Sequence, residues 1–456
     1  MRNSSFRRFA PALTALLALA PVVQADDLTQ LRDQLHALEQ KILVLERKQE
    51  IKDEAAAAAP ATPKLTVSDK AFTLASADGA NAIKLRGLVQ LDSRFFLDDG
   101  GSLVNNAFVL RRARTIIEGT FAKNYSFQLV PEFGGGSPTI VDANLGIAIS
   151  PQLQFKLGRF KSPVGLELLQ SDSWTFFDER SIVTNLVPNR DLGIQAGGDL
   201  FGGTVSYAVG IFGGVADAAS TANSDFDNEK DVVARVWASP FKNDAGSPLQ
   251  GLSFGISGSY GREKTTAGRT AGYRTDGQQT FFSYAATTIA DGPNWRFSPQ
   301  LDYRSGSFGL LGEYVVSTVN VRASAAGKLT ELQNKAWQLA AGYVLTGEDS
   351  SYAGVVPATN FDLSKGTWGA FEVATRYAHL KIDDAAFPTY AAVASNADEA
   401  ASFGLGLNWY LSKSVRLTFD YYQTKFDFPA GAPAVPTPLN LRQDEKSVIT
   451  RFQIAF

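Results

Sequence analysis

The fold is decided by the stretch Ile83-Lys84-Leu85-Arg86-Gly87-Leu88-Val89-Gln90-Leu91-Asp92-Ser93-Arg94-Phe95. Its odd positions carry Ile83, Leu85, Val89 and Leu91, while the even ones include Lys84, Arg86, Gln90, Asp92 and Arg94. A period of two places these sets on opposite faces of a β-strand, one apolar and one charged. The same division recurs in Trp295–Arg304, Phe371–Tyr377 and Phe403–Leu411, and a period near two persists to the last residue.

Soluble sandwiches alternate as well, so segment length and aromatic placement must separate the two solvents. Several segments run about 10 to 15 residues, against about 5 or 6 for soluble strands and about 9 to 11 for a tilted strand crossing a membrane. Trp295, Tyr303, Tyr314, Trp409, Tyr421 and Tyr422 lie near strand ends, as expected of aromatic girdles at the two lipid interfaces. Glycines on the polar face would weaken a packed core, yet cost little where that face lines water. Val448, Thr450, Phe452, Ile454 and Phe456 make a final alternating strand with a terminal Phe, which resembles the recognition signal of outer-membrane barrels. The strand count is about 16 or 17, with Gln279–Thr288 the doubtful segment, and single-chain bacterial barrels favour even numbers. The expected fold is an all-β membrane protein, a 16-stranded antiparallel transmembrane β-barrel. Pro131 and Pro299 should end or bulge their strands, because proline cannot donate to a ladder.

Composition narrows the function. The 456 residues hold 43 Lys+Arg against 46 Asp+Glu, a formal charge of −3, which excludes a nucleic-acid protein built on bulk positive charge. With no Cys, disulfide scaffolds, thiolate metal sites and cysteine nucleophiles are excluded. Neither G-x-S-x-G, nor a P-loop, nor H-E-x-x-H occurs. His379, the base that a barrel-embedded hydrolase would need, falls on the lipid-facing parity near a strand end. No enzyme, cofactor or tightly bound metal is therefore expected.

The apolar run from Ala10 to Val23 follows Arg2, Arg7 and Arg8, and Val23-Gln24-Ala25 supplies small residues at −3 and −1. Residues 1–25 read as a signal peptide cleaved after Ala25. Loss of those three Arg takes the charge from −3 to −6. Next come Leu28, Leu31, Leu35, Leu38, Ile42 and Leu45, the a/d seam of a coiled-coil helix over residues 26–54, expected on the periplasmic side. Gln49 and Lys52 break the seam, leaving about three heptads, marginal unless something else joins the chains. Ala55–Ala59, Pro60 and Pro63 read as a spacer, so residues 55–82 are an Ala/Pro-rich linker and lead-in and the barrel occupies 83–456.

Several motifs then fall in a telling order: Leu110-Arg111-Arg112-Ala113-Arg114, Gly158-Arg159-Phe160-Lys161-Ser162-Pro163-Val164-Gly165-Leu166-Glu167 and Asp178-Glu179-Arg180-Ser181. Tyr273-Arg274-Thr275-Asp276-Gly277, Phe308-Gly309-Leu310-Leu311-Gly312-Glu313-Tyr314 and Ala341-Gly342-Tyr343-Val344 follow. From Lys64 to Phe456 the chain resembles the phosphate-selective porins O and P of Gram-negative outer membranes. The resemblance implies a homotrimer of 16-stranded barrels set in outer-membrane lipid, each with a narrow pore for anions. Phosphate or polyphosphate is the leading solute, and a weakly selective general porin or a barrel anchoring the outer membrane to the cell wall are the alternatives.

Polar parity places Lys84, Arg86, Arg94, Arg112, Arg114, Lys156 and Arg235 on the lumen, among other cations, with Asp92, Glu118, Glu132 and Asp142 among the acids. Rings of Arg or Lys select anions in narrow pores. By resemblance, the weakly periodic segment 161–192 contains the loop that folds into the barrel, which makes Lys161 and Arg180 constriction candidates. Arg180 has Asp178 and Glu179 as possible partners. Arg111 and Arg112 resemble the family's paired pore arginines, but strict alternation turns only one of two neighbours inward. Parity favours Arg112 and Arg114, and a bulge would admit Arg111. The expected anion-contacting set is Arg94, Arg111, Arg112, Arg114, Lys161, Arg180 and Arg235.

Overall fold

The computed structural model describes residues 25–58, 62–97, 105–221, 227–265, 271–432 and 444–456. The chain divides into two units, residues 1–62 and 63–456. The first is one helix, α1 (Ala25–Ala58), in which Leu31, Leu35, Leu38, Ile42 and Leu45 are all exposed. The helix runs past Gln49 and Lys52, where the apolar seam stops, into the alanines expected to be a spacer. Alanine is the strongest helix former, so an Ala run continues a helix that nothing terminates. The expected leader, through residue 24, lies outside the described residues. Among the described residues no helix is long and apolar enough to cross a membrane.

The second unit opens with a hairpin, β1 (Lys64–Ser68) and β2 (Ala71–Ala75), inside the stretch expected to be linker. The next strands are β3 (Ala82–Leu97), β4 (Ala107–Phe121), β5 (Tyr125–Glu132), β6 (Thr139–Ser150), β7 (Leu153–Lys161), β8 (Arg190–Leu200), β9 (Val205–Phe212), β10 (Asp231–Ala238) and β11 (Leu252–Lys264). Two short strands, β12 (Gly272–Arg274) and β13 (Thr280–Ser283), pair only with each other. Then follow β14 (Ile289–Ser305), β15 (Phe308–Arg322), β16 (Thr330–Val344), β17 (Ala370–Lys381), β18 (Glu399–Tyr410), β19 (Val415–Asp427) and β20 (Asp444–Ala455).

Each barrel strand pairs antiparallel with its neighbours, and β20 closes on β3 from Ala455↔Leu88 to Lys446↔Leu97. Setting the β1–β2 hairpin aside from the 18-stranded sheet leaves a closed barrel of 16. The doubtful segment Gln279–Thr288 contributes β13, a loop strand and not a wall strand. The outer face carries the apolar parity: Leu91, Leu145, Ile211, Phe297, Leu405 and Phe452 are exposed, while Gln90, Asp92, Arg112, Ser298, Asn408 and Arg451 are buried inside. His379 lies on the outer parity beside Trp337 and bonds Glu399 at 2.6 Å.

Three sequence expectations need correction. Tyr422 is no girdle residue: it is buried on the inner face and donates to Asp178 Oδ1 at 2.5 Å. Pro131 sits at a register shift in β5, as a ladder breaker should, but Pro299 keeps the β14 register on both sides. The β14 irregularity falls instead between Ala290 and Asn294, around Gly292-Pro293. The glycines of the polar face do not all meet water either. A Cβ at Gly342 would lie 2.4 Å from Phe176, and one at Gly404 or Gly406 would lie 3.1 Å from Phe177. These positions are bare because aromatic rings of the 162–189 segment seat on them.

That segment divides the lumen. Its Ile182, Val183, Leu186 and Val187 form one buried apolar cluster with Tyr273, Phe281 and Phe282 of the β12–β13 loop and with Val315, Leu332, Ala336 and Ala378 of the β15–β17 wall. Burying these side chains fills that side of the barrel, and the two larger cavities described below draw most of their wall residues from the β3–β10 side.

Candidate functional site

The segment from Ser162 to Asn189 carries little regular structure, only α2 (Leu166–Leu169) and a 3-10 turn at Ile182–Leu186. Its buried carbonyls must nonetheless be satisfied. From Asp172 to Glu179 all eight accept from side chains. Gln90 donates to the carbonyl of Asp172, Gln453 to Ser173, Gln170 to Trp174, Arg416 to Thr175 and Asn408 to Phe176, at 2.8 to 3.0 Å. The Thr175 hydroxyl donates to Phe177, Arg451 to Asp178 and Arg376 to Glu179. Six of these donors come from the barrel wall, and with Gln170 and Thr175 of the segment itself they replace the ladder that a strand would have had. Glu313 holds the start of α2, accepting from the N–H groups of Leu166 at 2.7 Å and Glu167 at 3.2 Å.

Two cavities lie on either side of this segment. The larger, about 1310 Å³, opens at the barrel end where Phe456 sits, and nine Lys or Arg and six Asp or Glu line it. The second, about 610 Å³, lies beyond the segment and is lined by six Arg and four acids. Among the described residues only Arg114, Asp172 and Arg190 line both, so they lie where the two cavities meet. Asp172 receives Arg114 and Arg180 in direct hydrogen bonds, with Arg112 at 3.6 Å and Arg190 at 3.9 Å. Burial alone would raise the Asp172 carboxyl, but Arg112, Arg180 and Arg114 hold it well below the usual range. Arg190 also bonds Asp142 at 3.2 Å, and Arg114 bonds Glu132 at 2.5 Å.

The seven residues expected from sequence separate into groups. Arg94 and Arg111 bind Glu179, at 2.9 and 2.5 Å, and Arg94 also binds Asp92 at 2.7 Å. Arg94 lines neither cavity. Arg111 turns inward because the β3–β4 register shifts between Gln90 and Leu91, leaving Arg111 as the extra residue of a bulge. Arg112 donates to Gln90 at 2.6 Å and faces the smaller cavity. Arg180 pairs with Asp172, not with Asp178 or Glu179, and also donates to the carbonyls of Glu167 and Gln170. Lys161 donates to the carbonyls of Leu168 at 2.6 Å and Gln170 at 3.1 Å. Arg235 lies over the Trp237 ring at 4.6 Å and donates to Gln300 at 3.1 Å.

Sequence reasoning missed Asp172 and Arg190, which lie in the aperiodic segment or at its end, and Arg451. The last was legible in principle, because Arg451 has the inward parity between Thr450 and Phe452. It is fully buried, held by Asp92 at 2.6 Å and Glu179 at 3.1 Å. Arg376 of β17 and Arg416 of β19, which face inward, are likewise buried, donating to the carbonyls of Glu179 and Thr175 in the segment.

The chain matches the sequence profile of the phosphate-selective porin O and P family over residues 83–456. It is 25% identical over 410 residues to Porin O of Pseudomonas aeruginosa, covering 84% of this chain and 90% of that protein. Among solved structures it resembles the outer membrane channel DcaP of Acinetobacter baumannii, with a TM-score of 0.53 at 12% identity, covering 83% of this chain and 98% of that one. It also resembles the trimer form of the outer membrane protein OmpT of Vibrio cholerae, with a TM-score of 0.50 at 10% identity over 83% of this chain and all of that one. These two likenesses concern the fold. With the closed barrel, the two cation-lined cavities and the profile match together, the chain belongs to the phosphate-selective porin O and P family, outer-membrane channels of Gram-negative bacteria and not enzymes.

Proposed function

We propose that the channel passes small anions by passive diffusion, with phosphate or polyphosphate the leading solute. The carrying observation is that Lys84, Lys156, Lys161 and Arg235 all line the larger cavity with no carboxylate at ion-pair distance among the described residues, Asp142, Asp172 and Glu313 acting on them only from farther away. Cations held this way in a confined low-dielectric space attract anions and repel cations. They lead to Arg114 and Arg190 where the two cavities meet. Phosphate carries up to two charges near neutral pH and several acceptor oxygens, so it gains more than chloride from guanidinium forks. The family's description and the name of the Pseudomonas aeruginosa relative agree with this reading.

Within the expected set, Arg114, Lys161 and Arg235 are assigned the contacts with the passing anion. Arg112 and Arg180 fix Asp172, and Arg94 and Arg111 fix Glu179. The barrel works as a trimer in outer-membrane lipid, its leader removed after Ala25. Asp172, Asp142 and Glu118 favour the second reading, a weakly selective general porin, because they oppose the basic field in the same cavity. The zero-current potential of reconstituted channels across a KCl gradient decides between them, followed by phosphate block of the chloride current. Anion selectivity with phosphate block, both reduced in Lys161→Gln with Arg235→Gln, is the expected result. Cation selectivity would refute the proposal.

A further inference from the structure

The larger cavity has two unlike walls. Along β3–β10 it is basic, through Lys84, Lys156, Arg190 and Arg235. Across from these strands, the 162–189 segment and the connection between β16 and β17 contribute Pro163, Leu169, Trp174, Ala353, Val355 and Val356. Val356 is 55% exposed and lines the cavity. Trp174 is half-buried, packing on the cluster of Val344, Val355, Ala370 and Tyr410, and Gly354 lies against its ring: a Cβ there would come within 2.5 Å of Trp174. The indole therefore has one side fixed against Gly354 while the residue still lines the cavity.

One residue holds the two kinds of surface together. The Gln170 amide donates to the carbonyls of Trp174 at 2.9 Å and Tyr352 at 2.8 Å. Its own carbonyl accepts from Lys161 at 3.1 Å and Arg180 at 2.7 Å. A cation without a carboxylate partner and a flat apolar surface are thus anchored on the same side chain and peptide group. A channel for hydrated inorganic ions alone gains nothing from such a surface, since an apolar wall offers a small anion no hydrogen bond in exchange for its water. A ligand with a charged head and a flat apolar body gains from both walls at once.

We propose that this cavity is a binding site for organic carboxylates with a flat apolar body, the head on Lys161 and Arg235 and the body on Trp174 and Val356. The inference rests on the anion reading above and adds a solute class to it. Benzoate and acetate carry the same charge and carboxylate and differ in the body, so comparing them isolates the apolar wall.

The test is block of the chloride current through reconstituted full-length channels by sodium benzoate, sodium acetate and inorganic phosphate. Benzoate is expected to half-block at a concentration about tenfold lower than acetate, the effect of about one well-placed aromatic contact. Trp174→Ala should bring benzoate to within about twofold of acetate, and Val356→Ser should narrow the gap in part. Equal block by benzoate and acetate in the unaltered channel overturns the inference even if neither variant inserts, as does a Trp174→Ala channel that keeps the full difference. Failure of the anion reading shows up separately, as a cation-selective reversal potential before any blocker is added.

Discussion

Two carboxylates govern how many cations remain available at the pore. Glu179 gathers Arg94, Arg111 and Arg451, and Asp172 gathers Arg112, Arg114, Arg180 and, at longer range, Arg190. Glu179 lines only the smaller cavity, whereas Asp172 stands where the two cavities meet. Their removal should therefore differ in kind. Glu179→Gln leaves the Arg111 guanidinium without its carboxylate, while Arg94 and Arg451 keep Asp92, and should destabilise the folded barrel by about 3 kcal/mol, measured as a lower temperature of electrophoretic unfolding. Asp172→Asn removes the negative charge from that junction and should raise the anion-over-cation permeability ratio roughly twofold to tenfold, read from the reversal potential. Both carboxyls are pushed up by burial and held down more strongly by their arginines, Asp172 by Arg112, Arg180 and Arg114, and Glu179 by Arg111 and Arg451. A carboxylate with a depressed folded pKa stabilises fully above its unfolded value, about 4, and loses that contribution as pH falls through the lower folded value. The stability these two carboxylates contribute should thus stay constant from pH 7 to about pH 4 and fall below that, and an electrophoretic unfolding temperature that already drops by pH 5 would show that these two groups do not set it. Alternation told which residues face inward, and so found Arg112, Arg114 and Arg235. It was silent on whether an inward cation meets solvent or a loop carboxylate, because Asp172 and Glu179 lie in a segment without a period.

At the scale of elements, the 162–189 segment behaves as an extra peptide glued to the wall by long side chains. Thr175 and Phe176 depend on Arg416 and Asn408 for their carbonyl bonds, and Phe177 packs under the Arg376 guanidinium at 4.4 Å. Substituting Arg416→Met together with Asn408→Leu keeps bulk but leaves two buried carbonyls without donors, at a cost of about 1 to 3 kcal/mol each. The segment should loosen while the barrel still closes, giving larger and noisier single-channel conductance. An unchanged conductance would mean that the segment does not set the pore size. The strands were readable because a two-sided wall imposes its period on every residue pair. The bulge at Arg111 was not, since one extra residue costs the pattern nothing once parity resets. Nor was the function of Gly342, Gly404 and Gly406, because an absent side chain looks the same facing water or facing a phenyl ring. Pro299 keeps the register that Pro131 breaks, so proline content alone did not locate the irregularities.

For the whole molecule, the separation of roles is spatial: β14–β20 carry the inward segment, and β3–β10 supply most of the wall of the two cavities. Unboiled protein should therefore migrate as a compact, heat-modifiable species in electrophoresis, and a mobility unaffected by boiling would contradict the closed barrel. The helix poses the remaining question. Leu31, Leu35, Leu38, Ile42 and Leu45 are 49 to 65% exposed in a single chain, an apolar a/d stripe that water disfavours. About three heptads are too few to hold a coiled coil by themselves, so on the proposed trimer the stripe would gain its partners only where the barrels bring chains together. Local concentration then makes helix association nearly intramolecular. Removing residues 26–59 should accordingly lower the temperature at which trimers dissociate in mild detergent, while the reversal potential and phosphate block stay as in the full chain, since no cation of the pore lies in the deleted part. Light scattering that finds the intact protein monomeric would refute the trimer, and a deletion that alters selectivity would mean that the helix takes part in the pore.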